Sequence, residues 1–207
     1  MNQWIVEGPE DGPLFIFAHG AGAGMDHGFM ATVAQGLAEQ GIRVARFNFP
    51  YMVKRAEDGK KRPPDRAPKL LEAYEEVITH FTDKPVVIGG KSMGGRMASL
   101  LADHALVAGI ACLGFPFHHP GKPENYKGEH LATLNKPTLI LQGERDTFGK
   151  QEEFADFALS EQITVTFVPD GDHSFKPRKR SGYTEEGNIA LAVEHLAKFI
   201  KEVYSEK

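Results

Sequence analysis

The chain has 207 residues, 41% hydrophobic and 25% charged, which suits one well-cored domain over residues 1–207 and excludes a disordered polyelectrolyte. A net charge of -4 excludes a general electrostatic affinity for nucleic acid or anionic membranes, so neither is expected as a partner. A single cysteine, Cys112, excludes an internal disulfide, and the first residues show no basic segment leading into an apolar stretch; a cytoplasmic protein without signal peptide or membrane span is expected.

In chain order, residues 3–6 read as a short extra edge strand, antiparallel to the rest. Residues 14–18 (LFIFA) are a buried strand that ends in the glycine-rich run His19-Gly20-Ala21-Gly22-Ala23-Gly24. Met30, Val33, Ala34 and Leu37 recur at helical spacing within 27–40, before a stop at Gly41. A strand over 42–47 follows, then a basic, proline-containing loop over 54–69. A helix over 66–81 presents Leu70, Leu71, Tyr74, Val77, Ile78 and Phe81. Residues 85–89 form a strand that runs directly into Gly90-Lys91-Ser92-Met93-Gly94, and a helix restarts behind it. Strands over 106–113, 138–141 and 163–168 alternate with a short helix at 152–159, and a long helix fills 185–204. Strand and helix patterns that alternate in this way predict an α/β fold: three layers, α/β/α, around a mostly parallel sheet of six core strands.

The segment Gly90-Lys91-Ser92-Met93-Gly94 carries the chemistry. A strand that stops at Gly-x-Ser-x-Gly and restarts as a helix turns so sharply that the serine takes a strained conformation, with its hydroxyl exposed above the sheet. Such a hydroxyl needs a base, and the base needs an acid to orient it. The strand at 138–141 leads into Gln142-Gly143-Glu144-Arg145-Asp146, and the strand at 163–168 into Pro169-Asp170-Gly171-Asp172-His173. Ser92 is therefore the candidate nucleophile, His173 the candidate base and Asp146 the candidate acid, with Glu144 as its rival. Arg145 reads as a salt-bridge partner. The Met93 N–H at the helix start, with an N–H from the loop after His19, is the candidate oxyanion hole. Ala21 is favoured for the second donor, with Gly22 as alternate.

These strings resemble the α/β-hydrolase superfamily, in particular its small dienelactone-hydrolase-like branch. HGAGAGMD, GGKSMGGR, LQGERDTFG and DGDHSFKPRKRSG are similar to a group of small bacterial predicted hydrolases, and to a hydrolase-like domain of eukaryotic chromatin-complex subunits. The resemblance covers nearly the whole chain. It implies a spatial strand order of 2-1-3-4-5-6 for the six parallel strands. It also implies that the usual cap is missing, because residues 114–136 hold only a loop and one short helix. The pocket is then expected to be shallow and open, which disfavours long-chain lipids.

The expected activity is acyl transfer on a small, soluble, ester-like substrate, carboxylesterase first and thioester or small-peptide hydrolysis behind it, with no metal or organic cofactor. A monomer or small homo-oligomer is expected. Gly22, Phe115, His118 and Lys176 are the expected substrate-lining residues, and the basic stretches 54–69 and 176–180 would favour an anionic ester if they overhang the cleft. A phosphate-loop reading of Gly90-Lys91-Ser92 fails because Pro85 stands where that loop needs a glycine. A catalytically silent scaffold for protein–protein interaction is the remaining alternative.

Overall fold

A computed structural model describes residues 4–206. Seven strands form one sheet: β1 (Ile5–Glu7), β2 (Leu14–Ala18), β3 (Arg43–Phe47), β4 (Val86–Lys91), β5 (Val107–Leu113), β6 (Thr138–Gly143) and β7 (Ile163–Val168). The spatial order is β1-β3-β2-β4-β5-β6-β7. Only β1 is antiparallel, pairing with β3 at the edge, and the six remaining strands run in the 2-1-3-4-5-6 order. The edge strand starts later than the expected 3–6, and Gln3 lies outside the described residues.

Strands β4 and β6 are buried at every position, so apolar residues and glycines fill them without alternation, the exceptions being Lys91, Thr138 and Gln142. Helices cover both faces. Helices α1 (Gly28–Glu39) and α5 (Glu185–Ser205) pack on one side, where Phe15, Phe17, Met30, Leu37 and Leu196 join one core cluster. On the other side α2 (Pro50–Asp58), α3 (Ala67–Phe81) and α4 (Met93–Leu100) bury Phe47, Tyr74, Ile78 and Met97 in a second cluster. Each fully buried large apolar side chain contributes roughly 1.5–3 kcal/mol of transfer free energy. Cys112 is buried in β5, with its Sγ 3.2 Å from the Gly95 carbonyl oxygen.

Two elements differ from expectation. Residues 50–58 form a helix instead of part of a loop. Pro50 sits in its first turn behind an extended Phe49, Tyr51 and Met52 anchor it in the core, and Gly59 closes it in the left-handed region at φ 72. The short helix expected at 152–159 is a 3-10 turn over Gln151–Asp156, after which Phe157 is extended and stacks on Phe117. The connection from 114 to 137 holds one 3-10 turn, Glu129–Thr133, and no cap. Among the described residues, no helix is long and apolar enough to cross a membrane.

Candidate active site

The turn from β4 into α4 places Ser92 at φ 51 and ψ -116, a left-handed conformation that costs a non-glycine residue on the order of 1–3 kcal/mol. Close packing of three elements forces the geometry. A Cβ on Gly90 would lie 2.4 Å from the Gly94 carbonyl carbon, and one on Gly94 would lie 2.6 Å from the His19 oxygen. The Ser92 N–H donates to the Leu113 carbonyl (2.9 Å), tying the turn to the end of β5.

Ser92 Oγ lies 2.8 Å from His173 Nε2, and His173 Nδ1 lies 2.8 and 3.0 Å from the two carboxylate oxygens of Asp146. Asp146 has no exposed surface, and its Oδ1 also accepts the Phe148 N–H at 2.9 Å. A carboxylate at Nδ1 favours the tautomer protonated there, which leaves Nε2 free to accept a hydrogen bond from the Ser92 hydroxyl. Phe148 stacks on the His173 ring at 4.1 Å and fixes its plane.

The flanking acids have other duties. Glu144 accepts the Asp170 N–H at 2.6 Å, bridging the loops after β6 and β7 without reaching His173. Asp170 pairs with Arg178 at 2.6 Å and with Arg145 at 3.4 Å, and these guanidinium contacts, the Arg178 hydrogen bond foremost, hold its carboxyl down at about 2. Asp172 accepts the N–H groups of Ser174 and Lys176, which folds the turn that presents His173.

Side chains on the far side clamp the loop after β2. His19 is buried, and burial lowers its pKa to about 4, so it is neutral. Its Nε2 accepts the Phe49 N–H (3.0 Å), and its Nδ1–H therefore donates to the Gly20 carbonyl (2.6 Å). The Tyr51 hydroxyl lies 2.8 Å from the Ala21 carbonyl oxygen and 3.2 Å from that of Gly20, and Arg55 donates to the Gly22 carbonyl at 3.0 Å. In a trans peptide the C=O and the following N–H point in opposite directions, so a clamp on the Gly20 and Ala21 carbonyls turns the N–H groups of Ala21 and Gly22 the other way. Met93 opens α4, and its N–H is among those with no acceptor inside the helix. Tyr51 and Arg55 reach these carbonyls from α2, which the sequence reading does not include.

A cavity of about 370 Å³ opens beside Ser92 and His173, between the 20–23 loop, Phe29 and Met30 of α1, Phe148 and His119. A larger hollow of about 460 Å³ lies between α2, α3 and Asn48, lined by Trp4, Val53, Glu76 and His80, and it touches none of Ser92, His173 or Asp146. Of the expected lining residues, Gly22 borders the site cavity and three do not. Phe115 is fully buried against Phe117. His118 points inward to Glu153 (2.7 Å) and the His119 carbonyl, and it is His119 that borders the cavity. Lys176 is exposed in the turn and does not border the cavity. No residue of the basic stretches 54–69 and 176–180 lines the cavity; Arg62 pairs with Asp58, Lys69 with Asp65 and Arg178 with Asp170, while Arg55 donates to the carbonyl of Gly22 at its border. Lys91, absent from the expected lining, also borders the cavity, and its sequence signal is a lysine that ends an otherwise apolar strand next to Ser92.

This sheet order, with a serine elbow after β4 and partner loops after β6 and β7, defines an α/β-hydrolase fold. A family model described as "Alpha/beta hydrolase domain" matches residues 11–201, and the chain belongs to that family. Solved structures share the fold at low identity. Dienelactone hydrolase from Anabaena variabilis superposes with a TM-score of 0.75 at 17% identity, over 97% of this chain and 91% of its own. Est1E from Butyrivibrio proteoclasticus, solved with ferulic acid bound, gives 0.71 at 18%, over 99% and 96%. A lidless α/β serine hydrolase from Xanthomonas campestris gives 0.66 at 22%, over 94% and 87%.

Proposed function

We propose that the protein is a serine hydrolase working by acyl transfer, a carboxylesterase for small soluble esters. The observation that carries this reading is the unbroken hydrogen-bond chain from buried Asp146 through His173 to a serine held at positive φ. In this mechanism Ser92 Oγ attacks the ester carbonyl carbon as its proton passes to His173 Nε2. The carbonyl oxygen becomes an oxyanion that accepts from the N–H groups of Met93 and of Ala21 or Gly22. The bond to the leaving oxygen breaks, and His173 gives that oxygen the proton. Water then attacks the acyl-serine, again losing its proton to His173, which returns it to Ser92 as the acid departs. Asp146 stays ionised throughout and stabilises the imidazolium.

A cavity of about 370 Å³ is near the small end of ligand pockets, roughly 300–1,000 Å³, and suits a short acyl group. The absence of a cap and the likeness to a lidless hydrolase agree with an open site. The test is hydrolysis of 4-nitrophenyl esters of two to eight acyl carbons by wild type and Ser92→Ala. Turnover that favours the shorter chains and vanishes in Ser92→Ala supports the reading. A well-folded wild type that is inert on every ester and thioester offered would shift the weight to a silent scaffold.

A further inference from the structure

Every residue of β4 is apolar or glycine except the last, Lys91. Its side chain is almost wholly enclosed (9% exposed) but borders the cavity immediately before Ser92. Its Nζ donates to the His173 carbonyl oxygen and lies 5.2 Å from the centre of the Phe29 ring. Among the described residues it makes no ion pair. Asp146 and Asp172 attract it at longer range, but the first is engaged by His173 and the second by the N–H groups of its own turn. Among the described residues, no aspartate or glutamate borders the cavity.

An ammonium carries three donors, and a buried cation without a counter-ion is held at a desolvation cost that an incoming anion relieves. The apolar walls contributed by Phe29, Met30 and Phe148 lower the local dielectric and strengthen that attraction. Burial lowers the pKa of Lys91 to about 8 while Asp146 and Asp172 hold it up, so it is largely charged at neutral pH.

We infer that Lys91 is the anion-recognition residue of this site: it receives a carboxylate or similar oxyanion carried by the substrate, so the preferred esters are acidic ones. This inference rests on the serine-hydrolase reading. Lys91 also braces the His173 backbone, and a purely positioning role would slow acidic and neutral esters alike, whereas recognition changes their ratio.

The experiment compares kcat/KM for matched pairs that differ only in charge. On the acyl side, mono-4-nitrophenyl adipate is set against 4-nitrophenyl hexanoate. On the leaving-group side, 3-carboxyphenyl acetate is set against its methyl-carboxylate counterpart. Wild type is expected to favour the acidic member of at least one pair by roughly 10- to 100-fold, the range of a hydrogen bond to a charged group. Lys91→Met should bring that ratio to within about twofold of unity, and Lys91→Arg should keep most of it. Equal rates for both members of both pairs, or an unchanged ratio in Lys91→Met, overturn the inference.

Should Lys91→Met fail to fold, wild type alone decides. The groups facing Lys91 are Asp146 and Asp172, which favour its charge, the His173 carbonyl oxygen and the Phe29 face, and the side chains of His27, His119 and His173 line the same cavity. The acidic-to-neutral ratio should fall as pH rises from 7 to 9.5 through the titration of Lys91, and a flat ratio overturns the inference. Ser92-dependent cleavage without charge preference defeats this inference alone. No Ser92-dependent cleavage at all defeats the hydrolase reading and takes this inference with it.

Discussion

Substitution Gly94→Ala probes the elbow where its packing is tightest. The new Cβ would stand 2.6 Å from the His19 oxygen, 2.7 Å from the Ala18 oxygen and 2.8 Å from the Ala18 carbonyl carbon. All three are backbone atoms at the end of β2, a strand hydrogen-bonded on both sides, so no side-chain rotation relieves the overlap. Either α4 tilts or the β2 end shifts, and overpacking of this kind costs roughly 1–3 kcal/mol or more. At about 2–4 °C per kcal/mol for a chain of this size, the thermal midpoint should drop by roughly 2–12 °C. His19 leads into the 20–22 loop, so the same displacement should slow fluorophosphonate labelling of Ser92 about tenfold or more. Gly28→Ala is the control: its Cβ meets nothing within 4 Å at the first residue of α1, and the midpoint should hold or rise slightly. Differential scanning fluorimetry and timed labelling read both quantities. A Gly94→Ala protein with wild-type midpoint and labelling rate would refute the packing argument.

Tyr51→Phe removes the hydroxyl from the Gly20 and Ala21 carbonyls but leaves the His19 and Arg55 contacts, so labelling should slow several-fold with a midpoint loss of about 2–4 °C for one hydrogen bond; an unchanged labelling rate would remove Tyr51 from the clamp. Asp170 titrates near 2 instead of its ordinary 3.8 because Arg178 hydrogen-bonds its carboxylate, so the pair stabilises the fold above the ordinary value and loses that contribution as pH falls toward 2. The midpoint difference between wild type and Asp170→Asn should accordingly be present at pH 6 and shrink between pH 4 and 2; a difference that grows on acidification would contradict the assignment. Burial raises the Cys112 thiol far above its usual range, so a thiol reagent should leave the native protein unmodified and take up one equivalent after denaturation, read by intact mass.

The parallel sheet was readable because strands buried on both faces leave continuous apolar runs such as LFIFA and the LIL of β6, which few other structures require. That Ser92, Asp146 and His173 would lie near one another was readable because the fold brings the ends of β4, β6 and β7 to one edge of the sheet, and each residue sits at or within a few residues of one of those ends. Helix α2 was not. It buries only Tyr51 and Met52, adjacent residues that show no helical period, and the charged run Lys54 to Asp58 looks like a loop. Its terminal signals, Pro50 and Gly59, were present and carried more information than the missing periodicity. The cavity lining failed for a different reason. Which of His118 and His119 faces the site depends on the pairing of His118 with Glu153, thirty-five residues away, and no local pattern encodes that contact. Lys91 is a mixed case: a lysine at the end of an apolar strand stands out in the sequence, but its contacts with Phe29 and the His173 carbonyl come only from the fold.

The central claim is that Ser92 is an activated nucleophile, and fluorophosphonate labelling with mass-spectrometric mapping tests it most directly. Wild type should take up one adduct per chain, mapped to Ser92. The adduct should be absent in Ser92→Ala and slower by orders of magnitude in His173→Ala, since the proton then has no acceptor. A folded wild type that takes no adduct, or labels as fast without His173 as with it, would contradict the account.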